Sequence, residues 1–122
     1  EEGIQKLFAD YELLAKAGVF SIVLECIPWQ VAQPITGKAK VPAIGIGAGP
    51  YCDGQVLVSY DLLALSTGLP GKLGTSPKFV WQYDLKADKA IREYVANVKS
   101  GRMPDLEHSY SLSDVGVLEK FR

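Results

Sequence analysis

Along residues 2 to about 17, apolar side chains recur at Ile4, Leu7, Phe8, Tyr11, Leu14 and Ala15. That spacing predicts an amphipathic helix, and Gly18 is a suitable residue just past its end. The pattern then changes. VFSIVLECI is too uniformly apolar for a half-exposed strand and predicts one buried on both faces. Pro28 opens a second helix, WQVAQPITGK, which Pro34 should shorten or kink and Gly37-Lys38 should close. VPAIGIGAG predicts a second buried strand running into a glycine loop, and DGQVLVSYDLLAL a third strand with a helical turn after it.

Residues 66–77, STGLPGKLGTSP, form a long loop that is either functional or mobile. Beyond it, Ala90, Ile91, Tyr94, Val95 and Val98 give another amphipathic helix over residues 87–99, closed by Ser100-Gly101. The mixed tail RMPDLEHSYSLSDVGVLEKFR is expected to pack on a neighbour or to fray. Helix, strand, short helix, strand, strand is the order of a parallel α/β architecture. Residues 1–80 would carry the strands and their helices, and residues 81–122 the closing helix and arm of the same domain.

The glycine loop does not fit a dinucleotide site. Gly45 and Gly47 match the start of G-x-G-x-x-G, but Pro50 stands at the third glycine and another turn follows. Small residues at the carboxyl end of a barrel strand fit better, where they leave room for a ligand; a tight turn without ligand contact is the plainer alternative.

Composition narrows the class. The 122 residues are 48% hydrophobic and 22% charged, with a net charge of −1, which suits one folded domain and excludes a disordered chain. The near-neutral balance gives no footprint for nucleic acid or an anionic membrane. No apolar run approaches the roughly 20 residues of a membrane span. EEGIQKLFAD does not read as a secretory signal, so a cytoplasmic location is expected. Cys26 and Cys52 lie outside any C-x-x-C pattern and, with the single His108, make no zinc signature; reduced thiols, packed or capping strand ends, are expected.

The candidate chemistry sits in SIVLECIP, where a buried strand ends on Glu25. Alternation puts Ser21, Val23 and Glu25 on one face and Ile22 and Leu24 on the other. Leu and Ile suit a helix-covered outside, so Glu25 would stand inside, at the mouth of a barrel. By the same logic Ile44 and Ile46 would face the helices, leaving Ala43, Gly45 and Gly47 towards the centre. An acid at such a rim is partly desolvated, which disfavours its charged form and suits a general base. The competing reading is a strand-end glutamate paired with a nearby Lys or Arg. Asp61 is a second strand-tip acid with a weaker case, Asp53 before Gly54 a turn former, and His108 a structural or surface contact.

The blocks LEC-I-P, VPAIGIGAG, DGQVLV and PKFV, then a helix ending KSGRMPDLEHSY, together resemble the ketopantoate hydroxymethyltransferase family over residues 10–110. The resemblance implies a partial (β/α)8 TIM barrel of the phosphoenolpyruvate/pyruvate type, here the last three strands plus the C-terminal helix. It implies one-carbon transfer from 5,10-methylenetetrahydrofolate, as co-substrate, to 3-methyl-2-oxobutanoate, with Mg2+ holding the 2-oxo acid and Glu25 as the catalytic base. The family's metal ligands lie on earlier strands without counterpart here, so no metal or cofactor ligand is assigned in this chain. Three strands cannot close a barrel. The chain alone is therefore expected to be inactive, and to pair with a complementing N-terminal half, to form a homo-oligomer, or to be only part of the molecule. The alternatives are a non-catalytic fragment or assembly subunit, and another carbon–carbon bond enzyme of the same superfamily acting on a 2-oxo acid.

Overall fold

The computed structural model describes residues 2–65, 76–81, 83 and 86–121. Most of the long loop expected over 66–77 lies outside them. Helix α1 (Glu2–Lys16) leads to strand β1 (Ile22–Glu25), helix α2 (Trp29–Lys38) and strand β2 (Ala43–Ile46). Strand β3 (Gly54–Gln55), the one-turn helix α3 (Ser59–Leu62), helix α4 (Ala87–Lys99) and a 3-10 helix (Gly116–Phe121) complete the order.

The sheet is parallel throughout, in the order β1-β2-β3. This is the α/β class expected. Parallel strands need crossovers, and α2 supplies the first. Gly18 takes a φ of 81°, and its N–H donates to Ala15 O, which stops α1 and turns the chain into β1. Pro28 precedes the first turn of α2, whose carbonyl accepts from the N–H groups of Val31 and Ala32. Pro34 does not shorten that helix: it continues unbroken to Lys38.

The main core lies between α1, α2 and the sheet. Ile4, Ile22, Leu24, Val31, Ala32, Ile35 and Ala43 are buried together, with Leu7, Phe8 and Tyr11 of α1 packed against them. Register corrects one expectation. Ile22 pairs with Ala43 and Leu24 with Gly45, so Ala43 and Gly45 share the helix-covered face. Ile44 and Ile46 lie on the other face, beside Val23 and Glu25. The reason is space. A Cβ built at Gly45 would sit 2.9 Å from Cys52 Sγ and 3.0 Å from Gln55 Oε1, so a large residue has no room on that side.

Ile46 is buried beneath Phe79 and Val80 in a second cluster, which Leu57 and Tyr110 also touch. A third cluster joins Leu62, Tyr83 and Ala90, the one buried residue of α4. Asn97 donates to the Tyr83 hydroxyl at 3.1 Å, while Ile91 and Val95 of the same helix stay exposed.

Two further expectations are revised. The third strand is only two residues long, although Val56 still donates to Gly45 O at 3.0 Å; Asp61 therefore lies in α3 and not at a strand tip. The described part of the tail is tied to its own chain. Trp29 N–H donates to Tyr110 O at 2.9 Å, Trp29 Nε1 to Ser111 Oγ at 3.1 Å, and Leu112 N–H to Gln30 Oε1 at 3.0 Å. Leu112, Val117 and Leu118 then pack on the main core.

Ile35 is 1% exposed and Leu13 is 64% exposed. Ile35→Ala should therefore cost about 2–5 kcal/mol, read as a lower urea midpoint, whereas Leu13→Ala should stay within about 0.5 kcal/mol. Equal midpoint shifts would contradict this core.

Candidate functional site

Glu25 is the last residue of β1 and lies opposite Ile46 in the parallel register. Ile22 and Leu24 are buried under the helices, while Val23 and Glu25 are exposed on the other face. The acid thus stands at the carboxyl end of its strand, on the side without helices, where ligands bind in parallel α/β folds. The expected desolvation is not met among the described residues. Val23, two residues before Glu25 on the same face, is 61% exposed, because none of the described residues covers that end of the sheet.

The rim around Glu25 is tightly built. Cys26 has a φ of 54°, the left-handed region, and its N–H donates to Ile46 O at 2.8 Å. Partial burial and then the neighbouring Glu25 charge push the Cys26 thiol above the ordinary value of 9.0, against a hydrogen bond with the Tyr110 side chain. The residue is largely exposed, which limits how far burial can act. Cys52 is also free, and burial raises its thiol; Thr36 Oγ1 lies 3.9 Å from its sulfur. Both cysteines are free within the chain, Cys52 packed against the main core and Cys26 exposed just past the end of β1.

The glycines after β2 serve packing and leave no open space for a ligand. A Cβ at Gly47 would lie 2.8 Å from Phe79 Cδ1 and 3.3 Å from Tyr110 Cδ2. At Gly49 it would lie 2.3 Å from Trp29 Cβ. Both glycines have positive φ, 66° and 85°, so the turn and the crowding each require glycine. Tyr110 was not singled out in the sequence. Nothing in its spacing marks it, since its contacts with Cys26, Gly47 and Trp29 span more than sixty residues of chain.

The other candidates are dispersed. Asp53 Oδ2 accepts from Ala43 N–H at 2.9 Å and ties the start of β2 to the turn before β3. His108 is a structural contact: its ring stacks on Trp81 with centroids 5.5 Å apart, and its Nδ1 lies 2.8 Å from Asp105 Oδ1. A cleft of about 250 Å³ runs beside β1, lined by Leu7, Tyr11 and Leu14 of α1 and by Val23, Glu25 and Ile27. A larger groove of about 560 Å³ lies between α2 and the 3-10 helix, away from Glu25. Among the described residues, no three His, Cys, Asp or Glu side chains form a group able to hold a metal ion. No helix among them is long and apolar enough to cross a membrane.

A small parallel sheet with α1 and α2 against one face defines the class as α/β. The profile of the ketopantoate hydroxymethyltransferase family matches residues 1–106, and the chain belongs to that family. It is 46% identical over 114 residues to the 3-methyl-2-oxobutanoate hydroxymethyltransferase of Geobacter metallireducens, covering 91% of this chain and 40% of that protein. The enzymes of the same name from Moorella thermoacetica and Geotalea uraniireducens are each 48% identical, over 109 and 113 residues. Those matches cover 87% and 90% of this chain and 38% and 40% of the relatives. The chain therefore spans about 40% of the length of these curated relatives.

Burial pushes the Asp105 carboxyl up, but the backbone and ring of His108 and the backbone of Glu107 outweigh it and hold the group below its ordinary 3.8. A depressed carboxyl stabilises the fold above its unfolded value and loses that contribution as pH falls through the folded value. Asp105→Asn should therefore flatten the loss of stability on acidification below about pH 4, in urea melts taken from pH 6 to 3. An unchanged acid limb in the variant would remove Asp105 from the account.

Proposed function

We propose that this chain supplies the general base of a 3-methyl-2-oxobutanoate hydroxymethyltransferase, and that the base is Glu25. The placement of Glu25 at the tip of β1, on the face opposite the helices, carries the reading. Family membership supports it. The carboxylate takes a proton from C3 of the 2-oxo acid, and the electron pair of the broken C–H bond becomes the enolate. That carbon then bonds to the one-carbon unit of 5,10-methylenetetrahydrofolate. Both C–N bonds that hold that unit to the folate break, and water supplies the new hydroxyl. The protons from C3 and from water end on the two folate nitrogens, so that tetrahydrofolate leaves and ketopantoate is the product.

The chain's own part is limited. It holds the base on a strand and not on a loop, with the next residue fixed by Cys26 N–H and the rim locked by the Tyr110 segment. Rigid mounting of this kind favours proton transfer by keeping the acid near its target. The Mg2+ that the family resemblance implies finds no ligand group among the described residues, so no step is assigned to it. The exposure of Glu25 and that missing group favour a chain that is inert alone and active only when completed. Binding of a 2-oxo acid, like oligomer formation, belongs to the completed assembly.

The test is loss of the C3 proton of 3-methyl-2-oxobutanoate into D2O. The chain is combined with the part of the Geobacter metallireducens relative that it does not match, with Mg2+ present. Exchange is expected in the mixture, and Glu25→Gln should lower it by about 10²–10⁴-fold. Exchange at the normal rate in that variant removes Glu25 as the base, and none in any mixture supports a non-catalytic piece.

A further inference from the structure

We propose that Tyr110 is a positioning residue for Glu25, and that it acts by clamping Cys26, the residue through which the chain leaves the acid. The proposal rests on the reading of Glu25 as the base. The family profile stops at residue 106, so that match assigns nothing to Tyr110.

The backbone beside the acid stands in an unfavourable conformation. Cys26 has a φ of 54°, in the left-handed region. That region is costly for a residue with a Cβ and persists only where the surroundings hold it. The Cys26 N–H donates to Ile46 O at 2.8 Å, which fixes one side of the residue. Its thiol is exposed, and the Tyr110 side chain supplies its hydrogen bond. Glu25 is the last residue of β1, so the turn at Cys26 sets how firmly the acid's own backbone is held. A strained residue directly after the acid points to a constraint on the acid's direction.

Tyr110 is itself held, as a clamp must be. Its C=O accepts from Trp29 N–H at 2.9 Å, and the next residue, Ser111, accepts from Trp29 Nε1 at 3.1 Å. The preceding residue, Ser109, is fully buried, and its C=O accepts from Lys78 Nζ at 3.2 Å. The ring lies against Phe79, centroid to centroid 6.1 Å, and against Gly47, where a Cβ would stand 3.3 Å from Tyr110 Cδ2. Phe79 in turn covers Ile46, the partner of Glu25 in the parallel register. One side chain therefore joins the turns after β1 and β2 to the segment before α4, on the face where Glu25 stands.

Ring and hydroxyl do different things here. The ring packs on Phe79 and Gly47, and only the hydroxyl can bond the Cys26 thiol. A packing role alone survives Tyr110→Phe; a clamp does not.

Three measurements on Tyr110→Phe decide between them. In the chain alone, alkylation of Cys26 by iodoacetamide, followed by mass spectrometry across pH, reports its thiolate. The Tyr110 hydrogen bond favours that thiolate, so its loss should move the midpoint to higher pH. An unmoved midpoint removes the contact. Backbone amide order parameters at Glu25 and Cys26 should fall from the rigid range of about 0.85 towards about 0.6, while those of α1 stay put. Rigid amides at both residues overturn the clamp. In the exchange assay with the completing part of the Geobacter metallireducens relative, kcat for loss of the C3 proton should drop about tenfold, with KM within about twofold. A rise in KM alone makes Tyr110 a substrate contact and overturns positioning. In a Cys26→Gly background the same substitution should cost nothing further, because glycine takes the left-handed turn unaided and the hydroxyl has lost its partner. A loss of kcat that persists there overturns the route through Cys26. Normal exchange in Glu25→Gln, or none in any mixture, sinks the base and with it the positioning of a base; the midpoint and the order parameters then still show whether Tyr110 holds the turn.

Discussion

A parallel sheet has to be covered on both faces, and the described part of this chain covers one of them fully. Helices α1 and α2 bury Ile22, Leu24 and Ala43, while the opposite face is roofed only at Ile46, by Phe79 and Val80. That asymmetry governs the rest. It gives the chain a genuine core on the helix side and leaves Val23 and Glu25 exposed on the other face.

The rim resists the disorder that an uncovered strand end invites. Residues 109–112 run back across the start of α2, and their bonds to Trp29 and Gln30 tie the tail to the β1–α2 turn. Lys78 Nζ donates to Ser109 O at 3.2 Å, which joins the segment before α4 to the same strap. Ser109 is fully buried and its hydroxyl donates to Asp105 O, so the strap is anchored from within. Glycine at 47 and 49 lets aromatic rings approach the tip of β2 closely. The tips of β1 and β2 are thereby held from several directions at once.

Much of this was legible in the residues. The spacing of Ile4, Leu7, Phe8 and Tyr11 marked the buried side of α1. Uniform apolarity predicted β1 buried on both faces, and there it misled: Ile22 and Leu24 are buried, whereas Val23 is exposed on the other face. The face of Glu25 followed from alternation because Ile22 and Leu24 are large and need cover. The same argument failed one strand later. In Ala-Ile-Gly-Ile the bulky residues turn inward, because Cys52 and Gln55 occupy the helix-side space next to Gly45. Side-chain size identifies two alternating faces but not which one meets a helix; that depends on residues brought in from beyond the strand. The tail was illegible for a related reason. Its partners, Trp29 and Gln30, lie 82 residues away from Ser111 and Leu112, and short polar segments carry no periodicity to announce such contacts.

The open edge and the open acid have one physical origin. A carboxylate in water is solvated well and abstracts a carbon-bound proton poorly, because solvent competes with the substrate for the lone pairs. Excluding that water takes a wall on the helix-free side of β1, and the described residues supply none beside Val23. Any element that pairs with the outward backbone groups of Val23 and Glu25 must lie alongside this carboxylate, since the same residue carries both the side chain and the backbone edge. On the proposed reading of Glu25 as the base, closing the sheet there and drying that base are a single event.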